Sequence, residues 1–560
     1  MSETPLPVAP ENGRWWQAAD HRLLMWFLVP YTVLRLAQAK TTTLMSVDGG
    51  YYVDVAKHIR DGLGLQTNLS VFHFGYTHFP HPSSVYPLWP TLLGLIAKVA
   101  PLEAAAHWVP TILSIIAVFL MYLWGRRMWP EPVLPSVLPG LHAGHGFAVA
   151  LGLHREWMLF TALPYTEALA WALLAAFLLR AAPLGGSTRW QWGVESGVWI
   201  ALLFLTRAQF LVVHFAFAGA QVLRVLLGPD RRRGLVQLLI TQAIAAGVMA
   251  AWFGYLRTFL YAPGLSALLR FDQHRVSELL PELEVIVSTG TAWETLVDRL
   301  RGAKIAFDDL SRDGYETAYN AIHWALPMAG CLAVAQLWAT RTQPWRDRLL
   351  AWRANPALFY WAFVLALAVG GMLSVHLVHK NFNGSWYFGR RQGLMSLPAF
   401  VLALGWMMRQ KDAFGKNAGA VILVATLWSG GHALAAHGIQ PVGPHKGPDP
   451  HDHIVAWLRA VERSQGPIIV AMDDDTCKRM GYRTDHVGYH WIEQRTSYAD
   501  LLKITDTLGA KYLILRQDSK DWRVLTDNPT DFALRFEPLP VRPNRMHVYK
   551  RRTTPATPQE

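Results

Sequence analysis

The chain has 560 residues, of which 52% are apolar and only 16% are charged, against about 25% charged residues in soluble proteins. The net charge is +12, but most Lys and Arg residues stand in short clusters between apolar runs, which is typical of the loops of membrane proteins and not of nucleic-acid-binding domains. Anionic lipid or lipid phosphate is therefore the expected partner, no nucleic acid is expected, and two cysteines, Cys331 and Cys477, imply no disulfide framework.

The first apolar run covers residues 23–36 and follows a polar stretch that contains Pro and Trp. It leads into Ala-Lys-Thr-Thr-Thr, which does not resemble a signal-peptide cleavage site. The pattern therefore predicts an uncleaved first membrane span.

Further apolar segments recur as far as residue 436, several of them close to the roughly 20 residues that a membrane helix needs. They predict a polytopic α-helical membrane protein with about 11–13 membrane helices within residues 1–440. The segments are 23–38, 85–100, 107–124, 133–152, 162–179, 193–206, 208–227, 235–260, 320–339, 357–378, 392–408 and 418–436.

Basic clusters set the expected orientation, because Lys and Arg favour the cytoplasmic ends of spans. This rule leaves 154–161, 262–318, 379–391 and the C-terminal region outside, as expected for a bacterial inner-membrane protein. Segment 85–100 breaks the alternation if it crosses fully, so either it is re-entrant or a neighbouring segment is miscounted. The clusters are Arg126/Arg127, Arg180/Arg189, Arg231/Arg232/Arg233, Arg346/Arg348/Arg353 and Arg409/Lys411/Lys416.

From residue 445 onward the composition becomes that of a soluble protein. The patterns predict a small extracytoplasmic α/β domain over 445–560. We expect helices at 454–461 and 498–508, and strands at 467–472, 511–516 and within 532–550.

The long loop after the first span carries the most information. Tyr51, Val55 and Ile59 share one helical face, and Asp54 stands with other charged residues on the opposite face. This spacing predicts an amphipathic helix that lies on the membrane surface and is stopped by the glycines at 62 and 64, with Asp48 just before its start.

This loop resembles the first periplasmic loop of the GT-C membrane glycosyltransferases, the class that contains protein O-mannosyltransferases and the lipid A aminoarabinose transferase. An acid shortly after the first span, then Tyr, Ala, Gly-x-Gly and a Tyr-Pro pair carry the resemblance. Asp48 is followed by Gly49, whereas many relatives have two adjacent acids there. The matching residues are Asp48, Tyr51 or Tyr52, Ala56, Gly62/Gly64 and Tyr86-Pro87, with weaker echoes at Leu205-Thr206-Arg207, Trp386–Arg391 and Gly509–Leu515.

The resemblance implies hexosyl or pentosyl transfer from a polyprenyl-phosphate donor to a glycan, lipid or protein acceptor at the outer membrane face. A carboxylate would take the acceptor's proton, and cationic groups would hold the departing phosphate. Asp48 is the expected base, with Asp54 as the second catalytic candidate. The expected substrate-binding residues are Tyr51, His81, Tyr86, Glu167, Arg207, Lys380, Arg390 and Arg391.

Each of these roles has a simpler structural alternative. Asp48 is also suited to cap the helix that follows it, and Asp54 to lie on a solvated face. Arg390 and Arg391 would serve equally well as flanking residues of a membrane helix, and Arg207 as an interfacial charge.

Metal binding is not indicated by the pattern. His73, His78 and His81 lie in one loop, but their spacing does not match a standard zinc site. The run Asp473–Asp475 is more typical of a solvated turn than of a metal site. We therefore expect no cofactor, with a divalent metal ion as the alternative that the sequence leaves open. The rival functions are a transporter or flippase of lipid-linked glycan, whose charges should lie near mid-bilayer, and a non-catalytic glycolipid-binding relative.

Overall fold

A computed structural model describes the N-terminal half of the chain, one short helical stretch and most of the C-terminal region. The described residues are 19–42, 47–70, 78–130, 132–134, 138–181, 189–228, 230–259, 359–367, 370, 451–492, 498–516, 528–540 and 546–552. The predicted segments 320–339, 392–408 and 418–436 and the predicted external loops 262–318 and 379–391 lie outside these ranges.

Helices make up most of the described N-terminal half. Two of them, over Leu102–Met128 and Arg231–Leu256, are long and apolar enough to cross a bilayer. The total of about 11–13 spans stays a prediction. The helices are α1 (Ala19–Thr41), α2 (Val47–Arg60), α3 (Leu88–Ile96), α4 (Leu102–Met128), α5 (Ala143–Gly152), α6 (Arg155–Phe160), α7 (Glu167–Ala181), α8 (Gln191–Thr206), α9 (Leu211–Leu227) and α10 (Arg231–Phe259).

The end of the bundle that lies next to α2, called here the α2 end, is where α1 and α8 finish and α4 and α7 begin. Arg35, near the end of α1, donates to the Met158 carbonyl at 2.7 Å and to Thr161 Oγ1 at 2.5 Å. The Trp89 indole of α3 donates to the Pro164 carbonyl at 2.9 Å. These contacts bring the loop before α7 against α1 and α3.

The basic clusters gather at the opposite end of the bundle. Arg127 of α4 donates to the Leu179 carbonyl of α7 at 2.9 Å, and Gln237 of α10 donates to the Arg189 carbonyl at 2.9 Å. The N-terminal clusters therefore share one end, as the sequence predicts. Its assignment to the cytoplasm stays a prediction.

Segment 85–100 contains only the nine-residue helix α3. At 1.5 Å per residue such a helix is about 14 Å long, about half the thickness of a hydrocarbon core. It is therefore too short to cross the hydrocarbon core as a helix, and the alternation of spans stays a prediction.

Small residues allow the helices to pack closely. Gly193 and Gly197, four residues apart on α8, face the backbone of α10, where added Cβ atoms would lie 3.0 Å from the carbonyl oxygens of Gln237 and Thr241 respectively. Gly125 of α4 and Gly144 of α5 meet in the same way. Close backbone approach at small residues is the usual packing of membrane helices.

The C-terminal region forms most of a six-stranded sheet in the order β2-β7-β6-β8-β10-β9. The first four strands, from the edge strand β2 (Leu69–Ser70) to β8, run parallel to one another. Strand β10 runs antiparallel to both β8 and β9. The elements are β6 (Ile468–Asp473), β7 (Val487–Ile492), β8 (Tyr512–Arg516), β9 (Phe536–Pro538) and β10 (Met546–Arg551), with α11 (Asp452–Gln465), α12 (Asp474–Met480), α13 (Tyr498–Asp506) and α14 (Pro529–Arg535).

Most of these elements match the predicted ones, with three differences. Strand β7 and helix α12 were not predicted, and the range 532–550 begins inside helix α14 before its two strands. The edge strand β2 (Leu69–Ser70) comes from the loop after α2 and pairs with β7. The sheet is thus completed by the N-terminal half, and the separate domain over 445–560 stays a prediction.

Four further short strands lie in the described part of the N-terminal half. Strand β1 (Gln66–Thr67) pairs antiparallel with β3 (His81–Pro82) beside α2, and β4 (Pro132–Leu134) pairs with β5 (Leu138–His142) between α4 and α5.

Candidate functional site

Helix α2 covers the predicted residues and ends where predicted, but both of its flanks are packed against other elements. It ends at Arg60, and Gly62 and Gly64 follow with positive φ angles of 83° and 81°. One flank contacts α3, where a Cβ on Gly94 would lie 2.7 Å from the Ala56 carbonyl. The other flank contacts α12, where a Cβ on Gly50 would lie 1.9 Å from the Lys478 carbonyl. The helix is therefore packed between two elements, and its position on the membrane surface stays a prediction.

Asp48 lies in the first turn of α2, one residue after the helix begins, and is half-buried. A carboxylate there is stabilised by the positive end of the helix dipole. The predicted position just before the helix is therefore off by a residue or two. The residue as a whole is only partly enclosed at the α2 end.

Asp54, in contrast, is completely buried. Its Oδ2 accepts hydrogen bonds from Thr67 Oγ1 at 2.7 Å and from the Asn68 backbone N–H at 2.8 Å. The expectation that Asp54 lies on a solvated face is wrong, because the loop after α2 folds back over it.

The next turn of α2 contacts the C-terminal region directly. Lys57 is buried and donates to the Thr484 carbonyl at 2.6 Å and to Asp485 Oδ1 at 2.5 Å. The hydrogen bond from Lys57 holds the pKa of Asp485 below its ordinary value. His58 Nδ1 lies 2.8 Å from the Asp54 carbonyl oxygen, so its ring is turned back onto its own helix.

Tyr51 and His81, both predicted to bind substrate, instead contact residues of the loop that follows α2. The Tyr51 hydroxyl lies 3.1 Å from Ser83 Oγ, and burial raises the pKa of Tyr51. His81 Nδ1 and Nε2 face the carbonyl oxygens of Pro82 and Leu69 at 2.8 and 3.1 Å. Burial lowers the pKa of His81 to about 4, and the two backbone contacts offset part of that shift.

Tyr86 stands in an aromatic cluster at the α2 end. Its ring makes an edge contact with Phe204 of α8 and a tilted contact with Trp252 of α10, with centroids 5.4 and 5.7 Å apart. Trp252 in turn stacks on Tyr255, whose hydroxyl donates to the Leu65 carbonyl at 3.1 Å. The cluster attaches the loop after α2 to α8 and α10.

Glu167 and Arg207 meet although 40 positions separate them in the chain. Glu167 is the first residue of α7 and Arg207 directly follows α8, and Arg207 Nη1 lies 2.5 Å from Glu167 Oε1. Their side chains are only 6% and 18% exposed. The sequence singled out both residues, and the structure adds that they form one ion pair at the α2 end.

Arg35 was not predicted to belong to the site. It is 2% exposed, and within the described residues no carboxylate lies within 4 Å of it. Its guanidinium contacts the Gln38 side chain and two acceptors in the segment before α7. The available signal was an arginine inside the first apolar run, since charges within membrane helices are often functional.

Several predicted residues lie outside the described part of the chain, namely Lys380, Arg390, Arg391 and His73. The backbone of Asp473 ends β6 and that of Asp474 begins α12. Within the described residues, no group of three or more His, Cys, Asp or Glu side chains is placed to hold a metal.

The described part of the candidate site therefore consists of a half-buried acid on α2 and an ion pair at the ends of α7 and α8, both at the α2 end of the bundle. Asp48 can accept a proton, and Arg207 can stabilise a developing negative charge beside Glu167. Tyr86 packs with aromatic residues of α8 and α10 in an apolar cluster at the same end of the bundle.

The sequence matches no protein-family model and no curated protein. Solved structures do match in fold. An oligosaccharyltransferase from Archaeoglobus fulgidus, tethered with an acceptor peptide, aligns over 97% of this chain and 75% of its own, with a TM-score of 0.53 and 12% identity. The oligosaccharyltransferase AglB from the same organism, in complex with an inhibitory peptide and a dolichol-phosphate, aligns over 89% and 70%, with a TM-score of 0.51 and 13% identity.

The arabinofuranosyltransferase AftD from Mycobacteria aligns over 95% of this chain at a TM-score of 0.51 and 14% identity. The aligned part is 40% of AftD, so the chain spans less than half of that protein. The chain has the GT-C fold. The resemblance inferred from the first loop is confirmed at the level of fold, and GT-C neighbours are integral membrane proteins.

Proposed function

We propose that the protein is a membrane glycosyltransferase of the GT-C type. It moves a sugar from a polyprenyl-phosphate-linked donor to an acceptor hydroxyl or amine at the extracytoplasmic face. The observation that carries the proposal is the placement of Asp48, on the first-loop helix, at the same end of a GT-C bundle as the Glu167–Arg207 pair. That AglB was solved with a dolichol-phosphate supports a lipid-phosphate donor for a chain of this fold.

The proposed reaction exchanges one bond at the anomeric carbon for another. The acceptor oxygen or nitrogen attacks that carbon and gives its proton to the Asp48 carboxylate. The bond from the anomeric carbon to the phosphate oxygen breaks, and its electron pair stays with the lipid phosphate.

The departing phosphate needs cationic donors, because charge-assisted hydrogen bonds to an oxyanion are among the strongest available in a protein. Arg207 is the described candidate, and Glu167 orients its guanidinium. Lys380, Arg390 and Arg391, on the predicted external loop 379–391, are proposed to complete the phosphate site.

A transporter would require its charged residues at different positions in the bundle. A transporter binds its substrate near mid-bilayer, in broken helices. Glu167 and Arg207 instead lie at the ends of α7 and α8. Their position favours chemistry at the membrane face.

The deciding experiment supplies membranes containing the protein with radiolabelled polyprenyl-phosphate pentoses and hexoses. Glycosyl transfer predicts that label from one of these donors moves to a product that is stable to mild acid, and that Asp48→Asn membranes do not form it. Label that changes leaflet but stays on the lipid in both preparations would identify a transporter instead.

A further inference from the structure

We infer that Asp54 is a positioning residue for the proposed reaction, and that it acts by holding residues 66–70 between α2 and the C-terminal sheet. The inference rests on the proposed function for its catalytic readout. It also predicts a structural effect that does not depend on any activity.

The first observation is that the Asp54 side chain is fully buried and cannot contact a substrate. The side chain has no exposed surface, and Oδ1 is buried without a hydrogen-bond partner. A general base must come within hydrogen-bond reach of the proton it removes. Asp54 cannot do so in this arrangement, although it lies only six residues beyond Asp48.

The second observation is that one carboxylate oxygen organises three consecutive residues. Oδ2 accepts from the hydroxyl of Thr67 and from the backbone N–H of Asn68. Thr67 Oγ1 in turn accepts from the Leu69 N–H at 3.1 Å. The carboxylate therefore fixes the backbone of this segment.

The third observation is where the segment leads. Thr67 pairs with His81 in β1–β3, and Leu69 pairs with Tyr489 in β2–β7. The Asn68 carbonyl accepts from the Tyr489 N–H at 2.8 Å, and the Asn68 side chain donates to the Asp485 carbonyl at 3.2 Å. Asp54 thus stands at the junction of α2, the β1–β3 pair and the sheet.

A chain of contacts connects this junction to Tyr86 in the candidate functional site. His81 faces the Leu69 carbonyl, and the chain continues through Ser83, which contacts Tyr51, to Tyr86 in the aromatic cluster. Release of residues 66–70 would therefore loosen Tyr86 and α2 together, and α2 carries Asp48.

The test uses Asp54→Asn and Asp54→Ala in the full-length protein. Asn keeps an oxygen that can accept both hydrogen bonds, whereas Ala removes it. We measure kcat and KM for the donor, and amide hydrogen exchange in peptides covering 66–70 and 487–492. We expect Asp54→Asn to retain kcat within about threefold and to keep both peptides protected. Asp54→Ala should lose protection in both peptides and at least about tenfold in kcat.

Thr67→Val is a second variant, in case Asp54→Ala does not fold, and Val has nearly the same size as Thr. It removes only the bridging hydroxyl and should partly release residues 66–70, with a smaller fall in kcat. A loss of about a hundredfold in kcat for Asp54→Asn with full protection of both peptides would overturn the inference and make Asp54 catalytic. Unchanged protection in Asp54→Ala would overturn it as well. If wild-type membranes transfer no sugar, the exchange readout still tests Asp54 and only the proposed function fails.

Discussion

At the scale of single residues, burial separates the two acids of α2. Asp48 is half-buried in the first turn, and Asp54 is enclosed by Thr67 and Asn68. Two carboxylates of the same helix thus have different access to a substrate. This difference makes Asp48 the better candidate for the base.

Replacing Asp48 by Asn distinguishes a base from a residue that only stabilises the start of α2. Asn retains the shape and a hydrogen-bond acceptor, so we expect little change in thermal stability. It removes the negative charge that a base needs, so turnover should fall at least about a hundredfold while donor binding is retained. An Asp48→Asn protein that folds and turns over near the wild-type rate would remove Asp48 from the mechanism.

The Glu167–Arg207 pair gives a prediction about stability. Arg207→Gln leaves the Glu167 carboxylate buried without its partner, which should cost up to about 3 kcal/mol in the free energy of unfolding. The double variant Glu167→Gln/Arg207→Gln buries two neutral amides and should recover much of that loss. Thermal unfolding in detergent measures both. A double variant that loses as much as Arg207→Gln and Glu167→Gln lose singly when added together would mean that the pair is not coupled.

The sequence identified Asp48, Glu167 and Arg207, because acids and arginines beside apolar runs stand out in any membrane protein. It could not place Asp54 correctly. Helical periodicity shows which residues share a face, but whether that face meets water depends on the loop that folds over it. The partner of Lys57 lies 428 positions away in the chain, and no local pattern reports such a contact.

At the scale of elements, the packing of α2 against α12 depends on one glycine. A Cβ on Gly50 would lie 1.9 Å from a backbone carbonyl oxygen, and backbone cannot move aside as a flexible side chain can. Gly50→Ala should therefore separate α2 from α12 and expose the linked residues 484–492. Amide hydrogen exchange of that peptide measures the separation.

Gly247→Ala is the matched control for this change. Gly247 lies within α10, and nothing lies within 4 Å of its added Cβ. There the same substitution should be neutral or slightly stabilising, since Ala is the better helix former. Equal effects of the two variants on residues 484–492 would rule out close packing as the reason for Gly50.

The link between Lys57 and Asp485 should depend on pH. Lys57 lowers the pKa of Asp485 from its ordinary value of 3.8, so the pair stabilises the folded state above that value. The stabilisation is lost as the pH falls through 3.8 towards the lower folded-state pKa. Because the Asp485 side chain is 74% exposed, the effect should be small and weakened by salt.

Asp485→Asn keeps the shape of Asp485 and removes its titration. Wild type should therefore unfold at a higher temperature than this variant at pH 6, and the difference should shrink as the pH falls below 3.8. Thermal unfolding across that range measures it. A difference that stays constant with pH would mean that charge contributes nothing to the link.

At the scale of the whole molecule, the two halves of the chain form one sheet. Strand β2 from the first loop extends the sheet that residues 468–551 build, and α2 lies between that sheet and the bundle. Composition predicted a soluble region after residue 445 but could not show that its edge is completed from residue 69. Both halves must therefore meet on one side of the membrane.

This constraint gives a topology prediction that the positive charges support. The basic ends of α4, α7 and α10 are expected in the cytoplasm, so the α2 end and the C-terminal sheet should both lie outside. Reporter fusions after residue 445 should give an extracytoplasmic signal, and fusions at Arg231 a cytoplasmic one. Opposite signals at both sites would place the candidate site in the cytoplasm and contradict the proposed reaction at the outer face.

A fusion after residue 100 tests α3 within the same series. The nine-residue helix is too short to cross, so residues before and after it should report the same, extracytoplasmic side. A fusion after Arg127 supplies the control, since α4 has crossed by then and the signal should become cytoplasmic. A cytoplasmic signal already at residue 100 would mean that segment 85–100 crosses the membrane. It would also contradict the hydrogen bond that holds Trp89 of α3 to Pro164, before the start of α7.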